Sequence, residues 1–106
     1  MRKIVKHKKF LKDLEKIKQG FKLSTRKRIE ERLEEAVSKL ANDISLDRSF
    51  DNHDLHDCKT FIGCGECHIL GDLVLVYKKE GNECKLLTLM RIGNHNKILE
   101  NKGYEL

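Results

Sequence analysis

The chain has 106 residues, 39% hydrophobic and 37% charged, with a formal net charge of +5. That length accommodates one domain, residues 1–106, and leaves little room for a second. No apolar run approaches the ~18 residues of a membrane helix, and the basic start Met1–Lys9 leads into no apolar stretch of the kind a secretory leader carries, so a cytoplasmic location is expected.

Residues 1–28 hold twelve Lys and Arg against two acids, a balance of +10, whereas residues 29–106 balance at −5. A basic N-terminal third attracts polyanions, either nucleic acid or an acidic protein. Residues 1–5 can form a short strand. Phe10, Leu11, Leu14 and Ile17 then recur at helical spacing, with lysines, and His7 near the start, on the other faces. Gly20 stands where a helix stops. Ser24 or Thr25 can cap a second helix, whose apolar stripe is Ile29, Leu33, Ala36, Val37 and Leu40. Five or so connecting residues make the two an antiparallel helical hairpin.

Past residue 45 the periodicity changes. Ser45–Asp57 is polar and reads as loop. Phe61–Leu70 reads as an irregular strand, and Gly71-Asp72 as a turn. Leu73–Lys78 is a continuous apolar run, as in a central strand buried on both faces. Glu80-Gly81-Asn82 reads as a hairpin turn. Cys84–Ile92 gives a third strand, Gly93-Asn94 a further turn, and His95–Asn101 a helical turn. The fold class is therefore α+β: two N-terminal helices packed on a small antiparallel sheet.

Four histidines, His53, His56, His68 and His95, fall in or beside the strand-rich half, with Asp72 and Arg91 nearby. Imidazole titrates near neutral pH and can take or give a proton. Two imidazoles and a cation suit phosphodiester cleavage. One removes the proton of an RNA 2′-hydroxyl, the other protonates the leaving 5′-oxygen, and the cation stabilises the crowded phosphate. The cysteines offer rival chemistry. Cys64-Gly65-Glu66-Cys67-His68 spells C-x-x-C-H, the attachment signature of c-type haem, but it lies in a predicted strand and no export signal accompanies it. Cys58, Cys64, Cys67 and His68 are enough for a zinc site, but they form one hook rather than two. The expectation is no cofactor, with no metal or haem specifically bound, and with Cys67 and Cys84 as small core residues.

Four segments carry a resemblance: Asn52-His53-Asp54-Leu55, Gly65-Glu66-Cys67-His68-Ile69, Asp72–Lys78, and Leu89-Met90-Arg91-Ile92-Gly93-Asn94-His95. In order and internal spacing they resemble the YafQ branch of the RelE-type bacterial toxins over roughly residues 50–99. The resemblance implies an endoribonuclease that cuts messenger RNA on the ribosome without a metal, leaving a 2′,3′-cyclic phosphate. It also implies a cognate antitoxin that covers the active site, in a heterotetrameric assembly. Carried over by position, His95 is the general acid, His53 or His68 the base, Asp72 its helper, and Arg91 the partner of the phosphate. Lys59, Leu99 and Tyr104 are the implied substrate-binding positions. Leu99 stands where the family's terminal phenylalanine usually lies, and Tyr104 is an alternative stacking residue. Gly65 stands where the family often has arginine. Two other classes stay open: a non-nuclease toxin resembling the ParE group that binds DNA gyrase, and a small metal-binding module built on the cysteines.

Overall fold

A computed structural model describes residues 1–55, 63–81 and 85–99, and the side chains up to Ile98. Strand β1 (Lys3–Lys6) leads into helix α1 (Lys8–Gly20) and helix α2 (Leu23–Ala41). A short 3-10 turn (Arg48–Phe50) precedes β2 (His53–Asp54), and β3 (Gly65–Leu70), β4 (Leu73–Glu80) and β5 (Leu86–Asn94) follow, with helix α3 (His95–Leu99) last. The five strands form one sheet in the order β1-β5-β4-β3-β2. The α+β class is as the sequence indicates, and β4 is the central strand. The sheet is mixed rather than wholly antiparallel, because β1 runs parallel to β5. Such a pairing needs a crossover, and the helical hairpin between them supplies it.

Helix α1 starts at His7, whose ring nitrogen accepts the Lys9 N–H at 3.1 Å, so this histidine is a cap rather than a helical residue. The helix's inward stripe differs from the expected one at two places: Leu11 is exposed and Asp13 is buried. Helix α2 begins at Lys22 with no side-chain cap, not at Ser24 or Thr25. Gly93-Asn94 does not turn; it completes β5. The loop expected over 45–57 contains the 3-10 turn and β2, the hairpin residue Gly81 has φ +88°, and Asn82–Cys84 lie outside the described residues.

Both faces of the sheet are covered. Phe10, Ile29, Ala36 and Leu40 from the helices pack on Cys67, Ile69, Leu75, Tyr77 and Leu87. On the other face Val74 and Val76 pack with Leu55, Cys64 and Ile98. This alternation along β4 produces the unbroken apolar run Leu73–Tyr77. It also fixes the neighbours: Glu66 pairs with Val76 and His68 with Val74, so both turn away from the helices. Among the described residues no helix is long and apolar enough to cross a membrane.

Candidate active site

Three imidazoles converge on one carboxylate. His53 on β2 is the cross-strand partner of Glu66 on β3. His68 lies two residues beyond Glu66 on the same strand and hence on the same face. His95 opens α3, which Asn94 caps by accepting the Asn96 and Lys97 N–H groups at 3.0 and 3.4 Å. Ile98 anchors α3 against the sheet, and a Cβ on Gly93 would lie 3.2 Å from its Cδ1, so this glycine makes the close seating possible. His95 Nδ1 is 2.9 Å from Glu66 Oε1, and His53 Nε2 and His68 Nε2 are 3.5 and 3.6 Å from the same oxygen. The His68 and His95 rings stack at 6.1 Å.

Glu66 is fully buried while the imidazoles around it are partly exposed. A buried carboxylate is costly unless hydrogen-bonded. Here one oxygen carries the contacts, and Oε2 has no hydrogen-bond partner among the described residues. The backbone sets two of the ring tautomers. His53 Nδ1 lies 2.8 Å from the Asp51 carbonyl and His68 Nδ1 3.4 Å from the Gly71 carbonyl. A carbonyl only accepts, so each Nδ1 carries hydrogen and each Nε2 faces the carboxylate side. Asp51 adds a second carboxylate, with Oδ2 3.6 Å from His68 Nε2.

The other expected site residues are placed differently. Asp72 has an exposed side chain; its backbone carbonyl accepts the His95 N–H at 2.9 Å, so it acts on α3 through the main chain. Arg91 is buried and paired with Asp13 of α1 through two bonds of 2.6 and 2.7 Å, and Asp13 also accepts the Ile92 N–H at 3.1 Å. A bulge lies at this point of β5. Val76 pairs with Arg91 but Tyr77 with Leu89, leaving Met90 as the extra residue, which packs with the Val74–Val76 cluster. Arg91 itself reaches Asp13 of α1 just past the point where β1 ends. Asp72 and Arg91 line a cavity of about 530 Å³ that also includes Asp13, Lys16, Phe21 and Lys97. Lys59, Tyr104 and His56 lie outside the described residues, as does the side chain of Leu99.

Glu66 was not among the residues singled out from the sequence, although its i, i+2 spacing to His68 places the two on one face. Of the cysteine readings, Cys64 and Cys67 do not come together, since Cys67 packs on the helical side of the sheet and Cys64 in the cluster on the opposite side, and Cys58 lies outside the described residues. Burial, together with the Glu66 charge, pushes the Cys67 thiol up to about 12. The metal-ligating potential lies elsewhere, in Glu66, His68 and His95, whose ligand atoms all fall within 4.8 Å of one another. Gly65 also gains a reason. A Cβ there would lie 2.5 Å from the Tyr77 ring, which fills the space and whose hydroxyl donates to Asn52 Oδ1 at 2.5 Å.

A family model described as the bacterial toxin of a type II toxin–antitoxin system, YafQ, matches residues 2–100. A metal-bound toxin from Helicobacter pylori is 32% identical, with TM-score 0.74, covering 93% of this chain and 100% of its own. A copper-bound mutant toxin from the same organism is 31% identical, with TM-score 0.75 and the same coverage. The E. coli DinJ–YafQ complex is 24% identical with TM-score 0.71, covering 92% of this chain and 98% of that one, and shows likeness of fold. No curated protein matches the chain.

Proposed function

Since the chain belongs to the YafQ family of type II toxin–antitoxin toxins, we propose that it is a cytoplasmic endoribonuclease that cleaves messenger RNA on the ribosome. The observation that supports this most is the set of three imidazoles around buried Glu66. In the proposed reaction, an imidazole Nε2 takes the proton of the 2′-hydroxyl, and His53, with its Nδ1–H held by a carbonyl, has the better-defined lone pair for that step. The 2′-oxygen bonds to phosphorus, the bond to the 5′-oxygen breaks, and His95 Nε2 delivers a proton to that oxygen. The products are a 2′,3′-cyclic phosphate and a free 5′-hydroxyl. Glu66 holds Nδ1–H of His95, orients the ring and offsets the charge of its imidazolium form. Asp72 contributes by fixing the start of α3. For Arg91 to stabilise the phosphate, its guanidinium must exchange an Asp13 oxygen for a phosphate oxygen. Leu99 and, beyond the described residues, Lys59 and Tyr104 are the proposed substrate contacts.

The test is His95→Ala, expressed without an antitoxin. It folds with a near-native melting temperature, and its cleavage of translated messenger RNA falls by ~10²–10⁴-fold, the usual worth of acid–base catalysis. A folded His95→Ala protein that cleaves at the native rate would refute the assignment. A gyrase-binding toxin would cleave no messenger RNA in either form.

The partner we propose is an acidic or amphipathic antitoxin segment lying across the histidine patch and α1, where Lys8, Lys12 and Lys16 are exposed. The H. pylori relatives bind metal, and Glu66, His68 and His95 fit an imidazole-preferring ion such as Cu²⁺ or Zn²⁺. We propose that such an ion binds here as an inhibitor, because ligation takes His95, the proposed acid, and its partner Glu66 out of the proton transfer. Titration calorimetry with Zn²⁺ gives about one site per chain, lost in His68→Ala. Equal binding by that variant would rule the site out.

A further inference from the structure

Between His68 and Leu70 the register of β3 against β4 shifts, so that Ile69 is skipped in the pairing with β4. Such a bulge re-aims side chains and leaves main-chain groups to be satisfied elsewhere. Here they are satisfied from α2. Arg32 Nε donates to the Ile69 carbonyl at 2.7 Å, and Nη2 donates to the His68 carbonyl at 3.3 Å. The same guanidinium reaches a second segment: Nη1 donates to Ser49 Oγ at 2.9 Å and Nη2 to the Ser49 carbonyl at 3.2 Å. Its Cζ lies 3.8 Å from the centroid of the buried Phe50 ring. Immediately after Phe50 comes Asp51, in the left-handed region at φ 41°, and two residues later His53. One planar group therefore holds the backbone that aims His68 and the turn that delivers Asp51 and His53.

We infer that Arg32 is the positioning residue of the histidine cluster. It sets the separation of His53 and His68 around Glu66 without touching substrate. This rests on the nuclease reading for its consequence, but not for its geometry. Lysine is no substitute, because its ammonium lacks the fixed fork that reaches two segments at once. Catalytic groups displaced by about 1 Å lose up to ~100-fold in rate even when the change lies away from the chemistry.

The experiment compares wild type, Arg32→Met, Arg32→Lys and Leu40→Ala. Leu40 is a buried core residue remote in role, and its truncation provides a destabilised control. Two readouts are taken on the full chain. Long-range ¹H–¹⁵N spectra report the imidazole tautomers and hydrogen bonds directly. Cleavage of messenger RNA on programmed ribosomes gives kcat and KM separately. The expected result is that the His53 and His68 signals move in both Arg32 variants while that of His7 stays. At the same time kcat falls by about ten- to a hundredfold with KM unchanged. Leu40→Ala keeps the wild-type spectrum and kcat despite a lower melting temperature. Should Arg32→Met not fold, Arg32→Lys decides. Wild-type spectra and kcat in the Arg32 variants overturn the inference, as does an equal loss of kcat in Leu40→Ala. If wild type itself cleaves nothing, the nuclease reading fails and the spectra alone decide the positioning.

Discussion

The Asp13–Arg91 pair makes a quantitative prediction. Strand β1 stops at Lys6, opposite Leu89, so the edge of β5 beyond it lacks a neighbouring strand. Asp13 of α1 substitutes for that strand by accepting the Ile92 N–H and clasping Arg91 through two bonds. Asp13 and Arg91 are 7% and 4% exposed, so removing either leaves an uncompensated charge rather than a hydrated one. Breaking a buried pair in this way costs about 3–5 kcal/mol, a fifth or more of the roughly 5–15 kcal/mol that stabilises a typical domain. At about 4–8 °C per kcal/mol, Arg91→Ala lowers the melting temperature by on the order of 20 °C. Asp13→Ala costs a similar amount, and the double variant costs clearly less than the two together, since neither charge is then stranded. Urea unfolding followed by circular dichroism at pH 7 gives all three values. An Arg91→Ala protein within about 1 kcal/mol of wild type would refute the reasoning. If it were also inactive, Arg91 would be a phosphate partner and not a structural strut.

Reversing the exposed charges of α1 with Lys8→Glu, Lys12→Glu and Lys16→Glu should weaken antitoxin binding and flatten its dependence on salt. Affinity that ignores the reversal would remove α1 from the interface. Burial also raises the Cys67 thiol from 9.0 to about 12 and the Tyr77 phenol from 10.0 to about 12, so the native state keeps both protonated where the unfolded chain ionises them. Stability from these groups is complete below pH 9 and declines as pH rises toward 12, which urea midpoints taken between pH 7 and 11 will register. Reaction of native Cys67 with a disulfide reagent at pH 8, as fast as in the unfolded protein, would contradict this.

Helix, turn and central strand were legible because each is local. The 3.6-residue stripe, Gly71-Asp72 and the run Leu73–Tyr77 announce themselves within a dozen residues. The parallel β1–β5 pair was not, since four residues at one end meet a strand more than eighty positions away. The three histidines were legible as candidates, but their meeting point was not. Glu66 sits beside two cysteines in a segment that invites a haem or zinc reading, and only the strand's two-residue period separates it from Cys67 and joins it to His68. Arg91 failed for a different reason. Its guanidinium reaches Asp13 of α1 beside a bulge at Met90, and nothing in the spacing of charges reveals either the bulge or that partner. Arg32 and Asp13 were hidden by their company, each one charge among many on a heavily charged helix.

Those hidden residues share a feature that bears on how a small domain carries a polar site. The helices lie on one face of the sheet and the imidazoles on the other, so among the described residues no side chain of α1 or α2 bonds an imidazole of the cluster. What crosses the sheet is the backbone. Arg32 grips the carbonyls of His68 and Ile69 from the helical side, and the side chain of His68 emerges on the far side. Tyr77 acts in the same way: its ring fills the space over Gly65 on the helical side, and its hydroxyl holds Asn52, the residue before His53. Both devices act at main-chain or turn atoms adjacent to a histidine and leave the imidazole itself open. The consequence is that helix-side substitutions at positions 32 and 77 should shift the imidazole signals of His53 and His68 without altering any imidazole itself, whereas apolar substitutions deeper in the same core should lower the melting temperature alone.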